Sequence, residues 1–301
     1  MARQNKIKLT RGDLAFEIFN TILMVLVLIV VLYPLYFIVI ASVSDSKFVS
    51  AGEVWFWPKG FHLTAYKRVF TNSKLLTGYR NTIIYTFIGT IMNLIATVAI
   101  AYPLSRKDFV GRNVITLIMT ITMFFGGGLI PTYLCYKQLG LVNNPWVMMI
   151  PGLVSTYNTI LVRTFFQGLP YDLQEAAMID GCSNMRILLQ IILPLSKPIL
   201  AVMAIYYGVG HWNAYFDALV FISDDKYKPL ALVLRDILVT ATDSASGSDA
   251  AGGGSSQVDL AKTAEAMKYA VIIVSTVPVL CLYPFLQKHF AKGVMLGAIK
   301  G

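Results

Sequence analysis

Six stretches of at least 18 residues contain no Asp, Glu, Lys or Arg: residues 18–44, 81–105, 113–136, 138–162, 198–216 and 269–287. Each is close to or longer than the roughly 20 residues with which an apolar helix crosses a ~30 Å hydrocarbon layer. No water reaches the backbone in that layer, so a spanning segment must satisfy its own hydrogen bonds, and a helix does so internally. The pattern predicts an all-α integral membrane protein with six transmembrane helices at about those positions. Composition agrees, because only 14% of the 301 residues are charged and 56% are hydrophobic, whereas a soluble domain carries about 25% charged residues. A cytosolic enzyme, a disordered chain, a coiled coil and a collagen are excluded on these grounds.

An even number of spans puts both termini on one side, and the cations decide which. Short loops weigh most in setting orientation, and the short hairpin Arg106-Lys107-Asp108-Phe109-Val110-Gly111-Arg112 carries three cations. Residues 1–17, 106–112, 163–197 and 288–301 are therefore placed in the cytoplasm, with 45–80, Lys137 and 217–268 outside. Arg3, Lys6, Lys8 and Arg11 precede the first apolar run as they would in a secretory signal. That run, Ile18 to Ile40, exceeds the roughly 7–15 apolar residues of a cleaved signal, so it reads as an uncleaved helix. The net charge of +9 flanks membrane spans, where it meets anionic lipid headgroups. The cations form no single stripe with interleaved aromatics, which argues against nucleic acid as a partner.

The outer loops differ in character. Residues 45–80 hold Trp55-Phe56-Trp57-Pro58, an aromatic cluster suited to the lipid–water interface. Residues 217–268 include the tract Ser244 to Ser256 with Gly252-Gly253-Gly254, a composition expected of a mobile loop. Cys135, Cys182 and Cys281 form no CxxC pair and read as small apolar residues, and His62, His211 and His289 lie far apart. No metal site is expected from them.

Between the fourth and fifth spans lies Leu169-Pro170-Tyr171-Asp172-Leu173-Gln174-Glu175-Ala176-Ala177-Met178-Ile179-Asp180-Gly181, then Cys182-Ser183-Asn184-Met185-Arg186 and on to Ile191-Ile192-Leu193-Pro194. It reads as helix, break, helix. Pro170 suits a helix start, and Asp172 and Glu175 favour a helix N-terminus electrostatically. Gly181 can take the left-handed conformation that ends a helix, Ser183 can cap the next one, and Pro194 should stop it. Leu173, Ala176 and Ala177 share a face at i, i+3 and i+4, and the alanines give it little bulk, so another surface can approach closely. By local physics, a docking helix and a partnerless interfacial connector are equally open.

These residues also carry a resemblance. Glu175-Ala176-Ala177, three residues, Gly181, nine residues and Ile191-Ile192-Leu193-Pro194 resemble the signature loop of permease subunits in binding-protein-dependent ABC importers. Residues 18–301 are similar to the smaller permease of maltose-type carbohydrate importers, through Leu32-Tyr33-Pro34-Leu35, Asn81-Thr82, Ala101-Tyr102-Pro103-Leu104-Ser105-Arg106-Lys107, Gly111-Arg112 and Trp212-Asn213-Ala214-Tyr215. Gly127-Gly128-Leu129-Ile130-Pro131-Thr132-Tyr133, Leu139-Gly140-Leu141 and Lys292-Gly293 to Lys300-Gly301 resemble a subgroup that handles polysaccharide fragments.

The resemblance implies one transmembrane domain over 1–301, with a cytoplasmic coupling loop at 168–197. It implies a second, homologous permease, two ATPase subunits that use ATP and Mg, an extracytoplasmic solute-binding protein and a sugar cargo in a bacterial inner membrane. This chain would be non-catalytic and bind no cofactor. Glu175, Ala176, Ala177 and Gly181 are then the ATPase-coupling positions, with Asp180, Leu193 and Pro194 beside them. The absence of a G-x-x-x-x-G-K-[S/T] run fits that division of labour. Gly126-Gly127-Gly128 lies inside a span, where small residues let helices approach or break.

Polar groups deep in a membrane rarely face lipid, which makes Asn93, Tyr157, Asn158, Tyr206, Tyr207, His211, Trp212 and Asn213 candidates for the substrate path. Interhelical hydrogen bonding is the plainer reading of any one of them. An acidic oligosaccharide would find cations in Arg163 or a protonated His211. The rival readings are a permease for an osmolyte, amino acid or phosphate, and a polytopic membrane enzyme. The latter lacks HExxH, G-x-S-x-G or paired acids within the spans.

Overall fold

The structure, a computed structural model, describes residues 10–246 and 267–281. All regular structure among them is helical. We label the helices α1 (Arg11–Ser42), α2 (Ser46–Ser50), α3 (Thr64–Thr71), α4 (Ser73–Ser105), α5 (Arg112–Phe124), α6 (Leu129–Gln138), α7 (Thr156–Gln167), α8 (Tyr171–Ile179), α9 (Asn184–Leu195), α10 (Lys197–Trp212), α11 (Phe216–Phe221), α12 (Leu230–Ser246) and α13 (Met267–Cys281). The described residues fall into two compact units, one formed by 10–69 with 240–246 and 267–273, the other by 70–239 with 274–281.

In the first unit, α1 extends for 32 residues, about 48 Å at 1.5 Å per residue. It begins with a capping box, in which Thr10 and Asp13 satisfy each other's backbone. Its apolar sides are exposed along most of its length; only Ile40, Ala41 and Ser42 are buried. The following loop folds back on its C-terminal end. Ser42 Oγ pairs with the Tyr66 hydroxyl at 2.8 Å, His62 N–H donates to the Val43 carbonyl, and the Tyr33 and Tyr36 hydroxyls donate to the carbonyls of Trp55 and Phe56. Those last bonds hold Trp55, Phe56 and Trp57, each more than 60% exposed, in place.

In the second unit α4 is the spine, 33 residues with α7 and α10 packed along it. One core joins Ala101 and Tyr102 of α4 to Val162 and Phe166 of α7, Ala177 of α8, Ile187, Leu188 and Ile192 of α9, and Met203 and Tyr207 of α10. A second core gathers Tyr85, Val147, Met148, Met149, Ala218, Phe221, Ile222 and Leu232. Around it the 217–239 segment is tied down: Asn81 Nδ2 donates to the Lys226 and Lys228 carbonyls, and Leu230 N–H donates to Thr82 Oγ1. The expected mobile tract enters the described residues only at 244–246, the end of α12; the rest lies outside them.

Of the six uncharged stretches, 81–105 lies within the long helix α4, and 18–44 runs along the long helix α1 to its end at Ser42 and two residues beyond. The 113–136 stretch is no straight span. It is α5 and α6, bent by 115° at Phe125-Gly126-Gly127-Gly128. Gly128 takes φ +82°, and a Cβ placed at the three glycines would meet nothing closer than Pro131 Cβ, 3.8 Å from one at Gly127, so they serve to break the helix rather than to admit a neighbour from this chain. The 138–162 stretch departs further. Residues 139–155 turn through Asn144-Pro145 and Pro151-Gly152, and only α7, 12 residues or about 18 Å, is regular helix. Absence of charge reports what the segment avoids, whereas proline and glycine decide its backbone. The 198–216 stretch ends as a helix at Trp212, and 269–287 is described as helix only to Cys281.

Candidate functional site

The coupling segment folds as helix, break, helix, as expected. Asp180 closes α8 and Gly181 follows at φ +77°. The Gly181 N–H donates to the Met178 carbonyl at 3.0 Å and the Cys182 N–H to the Ala177 carbonyl at 2.9 Å. This paired arrangement is the Schellman motif, which satisfies the last carbonyls of a helix by passing one residue through the left-handed region. Nothing stands within 4 Å of a Gly181 Cβ, so the requirement for glycine is conformational rather than spatial. Ser183 Oγ then accepts from Arg186 N–H at the start of α9.

The exposed face of α8 differs from the expected one. Gln174 and Ala177 are buried, the latter in the first core, while Leu173, Glu175, Ala176, Ile179 and Asp180 are exposed. Ala177 is thus a packing residue, and the open surface consists of Leu173, Ala176 and Asp180 beside Glu175 and Ile179. Only the three-residue spacing of the small face survives. Ala177 packs into the first core, and Gln174, about one turn before it, is held by a buried arginine.

Pro194 does not stop α9. Leu188–Ile192 forms a wider π-helical turn in which Leu193 N–H donates five residues back to the Leu188 carbonyl. Pro194 has no N–H for the Gln190 carbonyl, and the widened turn accommodates that loss. The helix runs on to Leu195 and bends by 81° into α10 at buried Ser196. Leu193 is half-buried against the core and Pro194 is exposed.

That arginine is Arg106, only 6% exposed, just beyond α4. Its Nε and Nη2 meet both carboxylate oxygens of Asp108 at 2.9 and 3.0 Å, its Nη1 donates to Gln174 Oε1 at 3.0 Å, and Nη2 reaches Met178 Sδ at 3.4 Å. The guanidinium holds the Asp108 carboxyl below its ordinary range by hydrogen bonding. Lys107 Nζ sits 5.2 Å from the Tyr171 ring centroid. Sequence reasoning missed Arg106 as a site residue, because three cations in a short loop read as a topology signal. A cation directly at a helix end, followed two residues later by an acid, was the available hint.

The eight path candidates separate into two groups. Asn93 is fully buried, and its Nδ2 donates to the carbonyls of Gly152 and Leu153 at 2.6 and 2.9 Å, groups freed by the break before α7. With both amide protons used, its Oδ1 faces His211 Nε2 at 2.7 Å, so that nitrogen carries the proton. Gly89 makes room: a Cβ there would lie 2.5 Å from His211 Nε2. The Tyr207 hydroxyl pairs with Thr97 Oγ1 at 2.6 Å, Trp212 Nε1 donates to the Ser275 carbonyl at 3.2 Å, and Asn158 is buried near the start of α7. Tyr157, Tyr206 and Asn213 are exposed, Tyr206 and Asn213 on one side of α10 with Val209 and Gly210. Arg163 Nε donates to the Leu104 carbonyl at 3.0 Å, closing the end of α4. Among the described residues no group of three His, Cys, Asp or Glu side chains could hold a metal ion.

The profile of the binding-protein-dependent transport system inner membrane component family matches residues 75–296, from α4 through the coupling segment and beyond. The chain belongs to that family. Proteins similar to it include the protein LplC of Bacillus subtilis, 36% identical over the whole of both chains. The polygalacturonan/rhamnogalacturonan transport system permease protein YtcP of the same organism is 36% identical over 89% of this chain and 92% of its own. Among solved structures, a chain of a bacterial ABC transporter involved in the import of the acidic polysaccharide alginate superposes with a TM-score of 0.85, at 32% identity, over 95% of this chain and all of that one. Members of such a family are non-catalytic membrane components of import systems, and the apolar helices α1 and α4 fit that role.

Proposed function

We propose that this chain is one of two homologous permease subunits of an ATP-driven importer in a bacterial inner membrane, and that it carries an acidic oligosaccharide. An extracytoplasmic binding protein delivers the cargo, and two separate ATPase subunits use ATP and Mg to drive the change of access. The chain crosses the membrane six times with both termini in the cytoplasm. The third crossing is the bent α5–α6 pair, and the fourth includes the irregular 139–155 segment, whose free carbonyls Asn93 satisfies.

One observation carries the coupling part of this reading: the Schellman-closed α8 presents Glu175, Ala176, Ile179 and Asp180 outward while Gln174 and Ala177 anchor it inward. A short helix with a small, acidic outer face is shaped to enter a groove on a soluble partner. Glu175 pairs there with a cation of the ATPase, and Gly181 sets the angle between α8 and α9. Tyr157, Tyr206 and Asn213 supply exposed aromatic and amide groups to the cargo.

The acidic cargo is supported by the relatives named for alginate and for polygalacturonan, both acidic polysaccharides. It is not supported by Arg163 or His211, which are engaged by Leu104 and Asn93. A photo-crosslinker placed at Ala176 in the assembled importer should capture the ATPase, and its failure to do so refutes the coupling assignment. Uptake into proteoliposomes should favour galacturonate or alginate oligosaccharides over maltotriose. A preference for maltotriose refutes the acidic cargo alone.

A further inference from the structure

The α8 face that meets a partner is only half of a lever; the other half must grip the membrane helices. The core contacts of Ala177 are apolar and non-directional, and they would allow α8 to slide or roll. The directional contacts come from the hairpin between α4 and α5. Arg106 is the last backbone donor of α4, through its N–H to the Pro103 carbonyl, and its own carbonyl accepts from Arg112 Nη1 at 3.2 Å. Its side chain is fixed on one edge by Asp108 and meets Gln174 and Met178 of α8 with the other. A guanidinium is planar, so two carboxylate bonds on one edge determine where the remaining N–H points. Lys107 over the Tyr171 ring adds a second hold at the start of α8.

The helix so gripped is the one whose Asn93 and Thr97 engage His211 and Tyr207 of α10. A displacement of α8 therefore has a rigid route to the α4–α10 pair that does not run through α9 and the 81° bend. We infer that Arg106, oriented by Asp108 and read by Gln174, is a positioning residue that transmits motion of the coupling helix to α4. This assignment rests on the importer reading above and deepens it.

The test uses the complete importer in proteoliposomes with Arg106→Lys and Gln174→Met. Lysine keeps the charge but cannot hold Asp108 on one edge and Gln174 on another; methionine keeps the length of Gln174 and removes its acceptor. Both variants should retain the ATPase on purification and keep its unstimulated hydrolysis. Stimulation of hydrolysis by the binding protein, and galacturonate oligosaccharide imported per ATP, should each fall at least fivefold. The double variant should be no worse than Arg106→Lys alone, because that change already breaks the contact with Gln174. A folding defect lowers uptake and hydrolysis together and leaves their ratio unchanged. Wild-type stimulation and ratio in both variants would overturn the assignment. So would loss of the ATPase from both, which makes the contact a folding tie. A wild-type importer that responds to the binding protein but moves no galacturonate would sink the cargo reading instead, while stimulation still reports on Arg106.

Discussion

Replacing Asn93 with alanine removes three hydrogen bonds at one point: two donated to the Gly152 and Leu153 carbonyls and one accepted from His211 Nε2. The Asn93 side chain is fully buried, whereas Gly152 is exposed and Leu153 and His211 are half-buried, so the groups it leaves behind are not sealed off. A buried polar group left without its partner costs about 1–3 kcal/mol, which for three groups bounds the loss at roughly 3–9 kcal/mol. Measured interhelical bonds in membranes average nearer 0.6 kcal/mol, because the unfolded chain in lipid also finds partners, and three of those amount to about 2 kcal/mol. The two freed carbonyls belong to an exposed and a half-buried residue and can find other partners, so the expected loss lies near the membrane value, about 2–3 kcal/mol. Reversible unfolding of the detergent-solubilised permease should reveal it with no sugar present. A change below about 1 kcal/mol, with sugar uptake alone impaired, would refute the structural role and return Asn93 to the substrate path.

Other outcomes follow from single features. Gly181→Asn should keep more than half of transport, because asparagine tolerates the left-handed region and the space is open. Gly181→Val should lose most of it through a strain of roughly 1–3 kcal/mol while still inserting; equal transport by the two variants in vesicle uptake would contradict a conformational requirement. Gly89→Ala should drive His211 off Asn93, since the new Cβ would sit at 2.5 Å, and its thermal destabilisation should not add to that of His211→Ala. Asp225 is held at about 2 by hydrogen bonds from Lys228 and Lys74. A carboxylate pKa depressed in the folded state gives stability that is complete above the unfolded value near 3.9 and is lost as pH falls through about 2. Melting temperature should therefore show no Asp225 contribution to its pH dependence between pH 7 and 5, and Asp225→Asn should flatten only the acid limb. The group is exposed, so the effect stays in the small range of surface pairs.

How much of this was legible in the sequence depends on the kind of information each residue carries. The coupling turn was readable because its signals are local: Gly181 and Ser183 act on backbone within a few residues, and both do what their chemistry predicts. The face of α8 was misjudged because Ala177 and Ala176 are equivalent by local criteria. Contacts distant in sequence distinguish them: Ala177 packs into the core with Tyr102 and Phe166, and Gln174 beside it meets Arg106, 68 residues earlier. The uncharged stretch 138–162 was read as a helix because apolar character was allowed to outvote Pro145, Pro151 and Gly152. The partner that makes this break tolerable, Asn93, lies 59 residues away on another helix. A break in one stretch and a lone buried amide in another are two halves of one signal, invisible when each stretch is read by itself.

The same logic bears on where a cargo could meet this subunit. A polar group buried in a membrane protein is either spent on the fold or available to a solute, and the hydrogen-bond ledger separates the two. Asn93, Tyr207 and Trp212 are spent, and His211 is committed through Nε2. Arg163 closes α4. What remains exposed on α10 is a stripe of Tyr206, Val209, Gly210 and Asn213, with an aromatic at one end and, at the other, an amide whose Nδ2 also donates to the Val209 carbonyl at 3.0 Å. It carries no formal charge. Such a stripe offers a passing acidic oligosaccharide a ring face and an amide, so its carboxylates must be met by groups outside the stripe. Tyr206→Ala should then raise the half-saturation concentration for galacturonate oligosaccharides and for their methyl esters by the same factor. A larger effect on the charged form would place a cation on the path of this chain, and this reading of the stripe would fail.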